Sequence, residues 1–150
     1  MSNSHQFCTF FLKDFIFGIE VEAIQEVIRY QEMTPVPLAP PSIHGLINLR
    51  GQIVTAIDLR TRLKLSPREG DALPMNVIVR TPDGAVSLLV DEIGDVVEVD
   101  PALYERPAET LDPAARELVT GVYKLESTLL LILDVAGATA IAASLHETHA

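Results

Sequence analysis

Few residues in this chain are placed to do chemistry, and Arg50 stands out among them. It sits in Gly45-Leu46-Ile47-Asn48-Leu49-Arg50-Gly51-Gln52-Ile53-Val54-Thr55-Ala56-Ile57-Asp58-Leu59-Arg60, between two apolar runs. A guanidinium at such a hinge either faces water or takes a buried carboxylate partner. Cys8 is the one cysteine, with Phe7 and Phe10 beside it. A nucleophilic thiol needs a neighbouring base or a helix N-terminus, and neither is near in sequence, so Cys8 reads as a small buried hydrophobe. His146 and His149 lie in the last five residues, where a frayed chain holds a metal poorly. His44 reads as a solvated side chain. Asp91, Glu92, Asp95, Glu98 and Asp100 lack the alternating oxygen ligands and terminal glutamate of a calcium loop, and read as a solvated acidic face. No G-x-S-x-G, no H-E-x-x-H and no phosphate-cradling glycine loop is present. The residues propose no reaction, and the expectation is a protein without catalysis, metal or cofactor.

The elements that must position Arg50 are read from local pattern. Residues 46–49 and 53–57 are strands joined at Arg50-Gly51, where glycine supplies a positive φ. After Asp58 a single apolar turn closes on Leu63. Upstream, residues 6–12 and Phe15–Glu20 are strands around Lys13-Asp14. Val21, Ile24 and Val27 have helical spacing, which predicts one short helix over 21–26. Residues 27–33 are extended. Pro35, Pro37, Pro40 and Pro41 then mark a loop that cannot join a central strand. Downstream, 64–74 holds Pro67, Gly70 and Pro74 and reads as a surface loop. Met75–Thr81 and 85–90 are strands around Pro82-Asp83-Gly84. Gly94 introduces a strand over 95–99. Residues 101–118 carry three prolines and allow at most one or two helical turns, such as 112–118. Val119–Lys124 and 128–133 form a strand pair around Glu126-Ser127. Asp134 caps an alanine-rich helix over 135–145. Many short strands with turn residues between them describe a mostly β fold, barrel or sandwich.

A chain of 150 residues suggests one domain, or two small lobes on one core. Hydrophobic residues make up 48% and aromatics 5%, with no Trp, so Val, Ile, Leu and Ala must build that core. A formal net charge of −10 repels phosphate backbones, which argues against nucleic acid and against polybasic membrane docking. One cysteine allows no internal disulfide and fits a reducing compartment. No apolar run approaches the roughly 20 residues of a membrane span, and the N-terminus lacks the pattern of a signal peptide. The expected location is the cytoplasm.

The stretch from Gly45 to Arg60 resembles the signature of the CheW family of bacterial chemotaxis adaptors, G-x-x-N-[LI]-R-G-x-[VI]-x-x-[VI]-[VI]-D-L-R. Gly45, Asn48, Leu49, Arg50, Gly51, Ile53, Ile57, Asp58, Leu59 and Arg60 match it, and Ala56 departs. Supporting similarity runs from about residue 7 to residue 133. The resemblance implies a mostly β fold of two small SH3-like five-stranded β-barrels packed on a shared apolar core, with short helices and a C-terminal helix. It implies flexible ends at 1–5 and 146–150 around one CheW-like domain at 6–145, built as two intertwined lobes. The implied function is a non-catalytic adaptor, recruited to receptor arrays at the inner membrane. It would couple chemoreceptor cytoplasmic tips to the regulatory domain of a CheA-type histidine kinase. The family's V-Q-E-[IV] stretch is matched by Ile24-Gln25-Glu26-Val27, and the resemblance implies a Glu26–Arg50 ion pair near the receptor face. Ile24, Gly45 and Val96 are the other implied receptor contacts, forming a shallow apolar groove for a helical hairpin. Ser87 stands where relatives often have glycine. Gly137 to Ala143 offers small side chains where relatives often have paired leucines, and such a helix buries little area. One alternative is a CheW-like adaptor of a related pathway for pili, surface sensing or c-di-GMP output. The alternative from another class is a small-molecule-binding β-barrel, but the predicted strands carry almost no polar side chains to line a pocket.

Overall fold

The computed structural model describes residues 5–106, 113–125 and 127–148. In chain order the strands are β1 (His5–Leu12), β2 (Phe15–Glu20), β3 (Ile24–Ile28), β4 (Ile43–Leu49), β5 (Gln52–Asp58), β6 (Met75–Thr81), β7 (Gly84–Val90), β8 (Glu92–Val99), β9 (Tyr104–Glu105), β10 (Val119–Lys124) and β11 (Leu129–Leu133). The helices are α1 (Leu59–Arg62), α2 (Pro113–Glu117) and α3 (Val135–Thr148). Six strands form one sheet in the order β8-β1-β2-β11-β10-β9, and five form the other in the order β3-β6-β7-β5-β4. The mostly β fold with two small sheets is as expected, and the two-residue β9 is the addition to the first.

Alternation along the strands decides what each sheet buries. On β5 and β7, Ile57, Val86, Leu88 and Val90 enter a core shared by both sheets, where they meet Phe10, Leu12, Phe17 and Ile19. Ala56 and Leu89 have the opposite parity and form a separate small cluster with Ile47, against which Met33 packs. The first sheet has its own counterpart in Phe7, Val99, Tyr123, Leu130 and Ile132. Leu59 and Leu63 carry α1 into the shared core, and Ala138 and Ala142 do the same for α3. The small residues of α3 therefore let its backbone come close to that core. Asp134 Oδ1 accepts the Gly137 N–H at 3.2 Å, as a cap should.

Several local readings are corrected. The helix expected over 21–26 is a 3₁₀ turn at Val21–Ala23 followed by β3. Ile24, Val27 and Ile28 are β-branched, and ladder partners on β6 (Ile24↔Val79, Val27↔Val77) outweigh the coincidental helical spacing. The extended stretch 27–33 keeps its strand pairing only to Ile28. Gly94 does not introduce a strand but lies inside β8, where a Cβ would stand 2.5 Å from Thr9 Oγ1. Helix α3 continues past residue 145 to Thr148. Residues 146–148 of the expected flexible C-terminal end are therefore helical, while residue 112 of the expected 112–118 helix, Glu126 of the expected turn, and residues 1–4 and 149–150 of the expected flexible ends lie outside the described residues. Ser87 is fully buried and donates to Asn76 Oδ1 at 2.7 Å, and Asn76 Nδ2 in turn holds the Arg29 carbonyl at 3.0 Å. The serine thus fills the glycine position with a satisfied polar contact.

Candidate functional site

The turn between β4 and β5 has two residues, Arg50 at φ 51° and Gly51 at φ 86°. Positive φ at both central positions makes a type I′ turn, whose twist matches the flanking strands. Asn48 Oδ1 accepts the Gly51 N–H at 2.9 Å and braces the turn. Such a turn favours Asn at its first central position, and an arginine there holds a left-handed conformation at a cost. Local turn chemistry gives no reason for Arg50.

Its contact supplies one. Strands β3 and β4 are the two outer strands of the five-stranded sheet, yet Glu26 on β3 is bound by Arg50 beyond the end of β4. Arg50 Nη1 donates to Glu26 Oε1 at 3.2 Å, and Nη2 makes a closer contact with Oε2. This forked pair links the two outer strands of the sheet through their side chains. The Arg50 side chain is 67% exposed and that of Glu26 25%. The Arg50 hydrogen bond holds the Glu26 carboxyl below its ordinary value, and the same bond raises the guanidinium. Arg50 thus both faces water and takes a carboxylate. Screened by solvent, such a pair contributes little stability.

The remaining expected positions fall around this pair and away from it. Ile24, half-buried at the start of β3, packs partly against the shared core. Gly45 is buried in β4 and presents no side chain outward. A Cβ there would stand 2.8 Å from the Thr34 carbonyl oxygen and 3.0 Å from Met33 Cβ, because residues 33–34 cross directly over it. That crossing is held by Thr34 N–H to Leu46 O at 2.9 Å and Leu46 N–H to Thr34 O at 2.8 Å. Gly45 therefore seats a neighbouring segment. Val96 is 58% exposed but lies in the other sheet, on the outer strand β8.

The sequence reading missed a charge cluster at the join of the two sheets. Asp91 links β7 to β8. Its carboxylate accepts the Lys13 N–H at 2.7 Å, Arg60 Nε at 3.0 and 3.1 Å and Arg60 Nη2 at 2.5 Å, and Arg68 Nε lies 2.9 Å away. Arg60 Nη1 also donates to the carbonyls of Ser66 and Pro67, while Arg68 reaches Asp58 and the Leu89 carbonyl. Both the arginine and carboxylate side chains are mostly buried, at 13% and 17% exposure. Burial alone pushes the Asp91 carboxyl up. Hydrogen bonds from Arg60 and Lys13, with the charges of Arg60 and Arg68, outweigh burial and hold it below its ordinary value. Asp91 is thus no part of a solvated face, and Arg68 no surface residue of a loop. Arg60 in Asp-Leu-Arg was the available signal, but its partner lies 31 residues on.

Two clefts bear on ligand binding. One, of about 510 Å³, is lined by this cluster, whose cations are already engaged. The other, of about 480 Å³, lies between the β6–β7 turn and α3 and is lined by small residues such as Ala23, Val135 and Ala140. There the Thr139 hydroxyl donates to the Val135 carbonyl of its own helix. Cys8 is half-buried, and burial pushes its thiol up, away from the reactive thiolate.

Residues 6–142 match the family described as the CheW-like domain. The chain belongs to the CheW-like family. It is 28% identical over 134 residues to the chemotaxis protein CheW of Treponema pallidum, covering 87% of this chain and 79% of that one. It is 33% identical over 118 residues to the CheW of Bacillus subtilis, covering 79% and 76%. Among solved structures it is similar to the scaffolding protein TtCheW from Thermoanaerobacter tengcongensis, with a TM-score of 0.78 and 26% identity over 89% of this chain and 86% of that one. The CheW family is one of chemotaxis adaptors that scaffold and do not catalyse.

Proposed function

We propose that this CheW-like chain is a cytoplasmic adaptor that couples chemoreceptor tips to the regulatory domain of a CheA-type histidine kinase. The Glu26–Arg50 pair carries the reading. An arginine is kept at a turn position that disfavours it, held out toward solvent and oriented by a carboxylate from the opposite edge of the sheet. Beside it Ile24 offers apolar surface, Gly45 fixes the local path of residues 33–34, and Val96 supplies a second apolar position from the other sheet. The receptor's helical hairpin would lay its apolar stripe here and meet the charged pair at the rim. No helix among the described residues is long and apolar enough to cross a membrane, which is consistent with recruitment by receptors. Two modest interfaces on one body hold receptor and kinase together through effective concentration. A receptor change that alters one interface then biases the other by linkage.

Calorimetry against the kinase regulatory domain should give a micromolar Kd, about −8 kcal/mol. No heat at high concentration would count against the proposal. At Arg50 the expectation is a separation of stability from binding. Arg50→Asn suits the type I′ turn, so its melting temperature should match or exceed that of the wild type while receptor recruitment falls. A double-mutant cycle with Glu26→Ala tests the pair itself, and additive effects on binding would refute it.

A further inference from the structure

Asp91 is the single residue between β7 of one sheet and β8 of the other. Its backbone N–H donates to the Phe11 carbonyl at 3.0 Å, and its carboxylate takes the Lys13 N–H. Both contacts belong to the β1–β2 hairpin of the first sheet. The same carboxylate takes Arg60 from α1 and Arg68 from the segment after it, both attached to the second sheet. Helix α1 also sends Arg62 Nη2 to the Gly137 carbonyl of α3, at 3.2 Å. The apolar core between the sheets is large, but apolar burial has no preferred direction. Charge-assisted hydrogen bonds have narrow distances and angles. The core therefore supplies the attraction, and the Asp91 cluster supplies the orientation.

We propose that Asp91 is a positioning residue that fixes the angle between the two sheets and so holds Val96 in place relative to Ile24, Glu26 and Arg50. Strand β8 starts immediately after Asp91 and carries Val96, so a rotation at this joint moves Val96 with it. This rests on the reading of the receptor face given above, because only a face built from both sheets needs the angle held.

Residual dipolar couplings of the full chain test the joint without any partner. In the wild type both sheets should fit one alignment tensor. In Asp91→Asn, which keeps the shape and loses the charge, the tensors of the two sheets should diverge. Arg60→Lys keeps the charge but lacks the planar fork, and should show the same divergence. It carries the test if Asp91→Asn does not fold. Binding to a receptor-tip fragment should weaken about tenfold in both variants. Leu130→Ala, in the cluster private to the first sheet, is the control for destabilisation alone and should leave tensor and affinity as in the wild type. One shared, unchanged tensor in Asp91→Asn and Arg60→Lys overturns the joint. Divergent tensors with unchanged receptor affinity overturn its link to Val96. A wild-type chain that ignores the receptor tip overturns the receptor-face reading, while the tensors still decide the joint.

Discussion

Gly45→Val should cost about 2–3 kcal/mol of stability, from two lost backbone hydrogen bonds and local overpacking, and should abolish receptor recruitment. The atom that a Cβ would strike is the Thr34 carbonyl oxygen at 2.8 Å, which is backbone and cannot swing aside. Relief requires lifting residues 33–34 off β4, which breaks the reciprocal Thr34–Leu46 pair. Met33 would then leave the cluster of Ile47, Ala56 and Leu89. The segment that moves runs from β3, which carries Glu26, to β4, which leads to Arg50, so both halves of the exposed pair are disturbed. Gly45→Ala should shift in the same direction by less. Urea denaturation paired with a receptor pull-down reads both effects. A wild-type midpoint in Gly45→Val would show that the crossing segment is free to move and that Gly45 is not needed for packing.

Asp91→Ala should be the most destabilising change of a charged residue, by about 3 kcal/mol, because it leaves the mostly buried Arg60 guanidinium with backbone carbonyls alone and takes one of two carboxylate partners from Arg68. The pH dependence follows from the direction of its shift. The Asp91 carboxyl lies below its ordinary value in the folded chain. Its contribution is therefore fully present above the unfolded value, about 3.9, and is lost as pH falls through the lower folded value. Wild-type stability should fall with acidification below about pH 4, and the Asp91→Ala curve should be flatter over that window. Parallel curves for the two proteins would mean that Asp91 does not bind its proton more weakly when folded.

The readable parts of this fold were those set by neighbours in sequence. The β4–β5 hairpin follows from two short apolar runs and a glycine turn, and the cap of α3 from Asp134. Residues 21–26 misled because the spacing of Val21, Ile24 and Val27 suits a helix, while the deciding partners, Val77 and Val79, lie far along the chain. Asp91 and Arg68 misled for a related reason. A charge in a polar loop or an acidic run looks solvated until the fold brings opposite charges to it. The Glu26–Arg50 pair spans 24 residues and was legible through the family pattern alone. That pattern placed Gly45 and Val96 with it, but the structure distinguishes them. Gly45 seats residues 33–34 and presents no side chain outward, and Val96 stands on the other sheet. The unfavoured backbone at Arg50 was invisible in sequence, since an Arg-Gly turn also fits a positive φ at Gly51 alone.

The most direct measurement is the mass of the complex formed when chain, receptor-tip fragment and kinase regulatory domain are mixed, read by sedimentation. The adaptor account predicts a ternary species in which one chain holds both partners, and it predicts that Arg50→Asn removes the receptor while leaving the kinase domain bound. Binary complexes only, with receptor and kinase domain displacing each other from the chain, would contradict it.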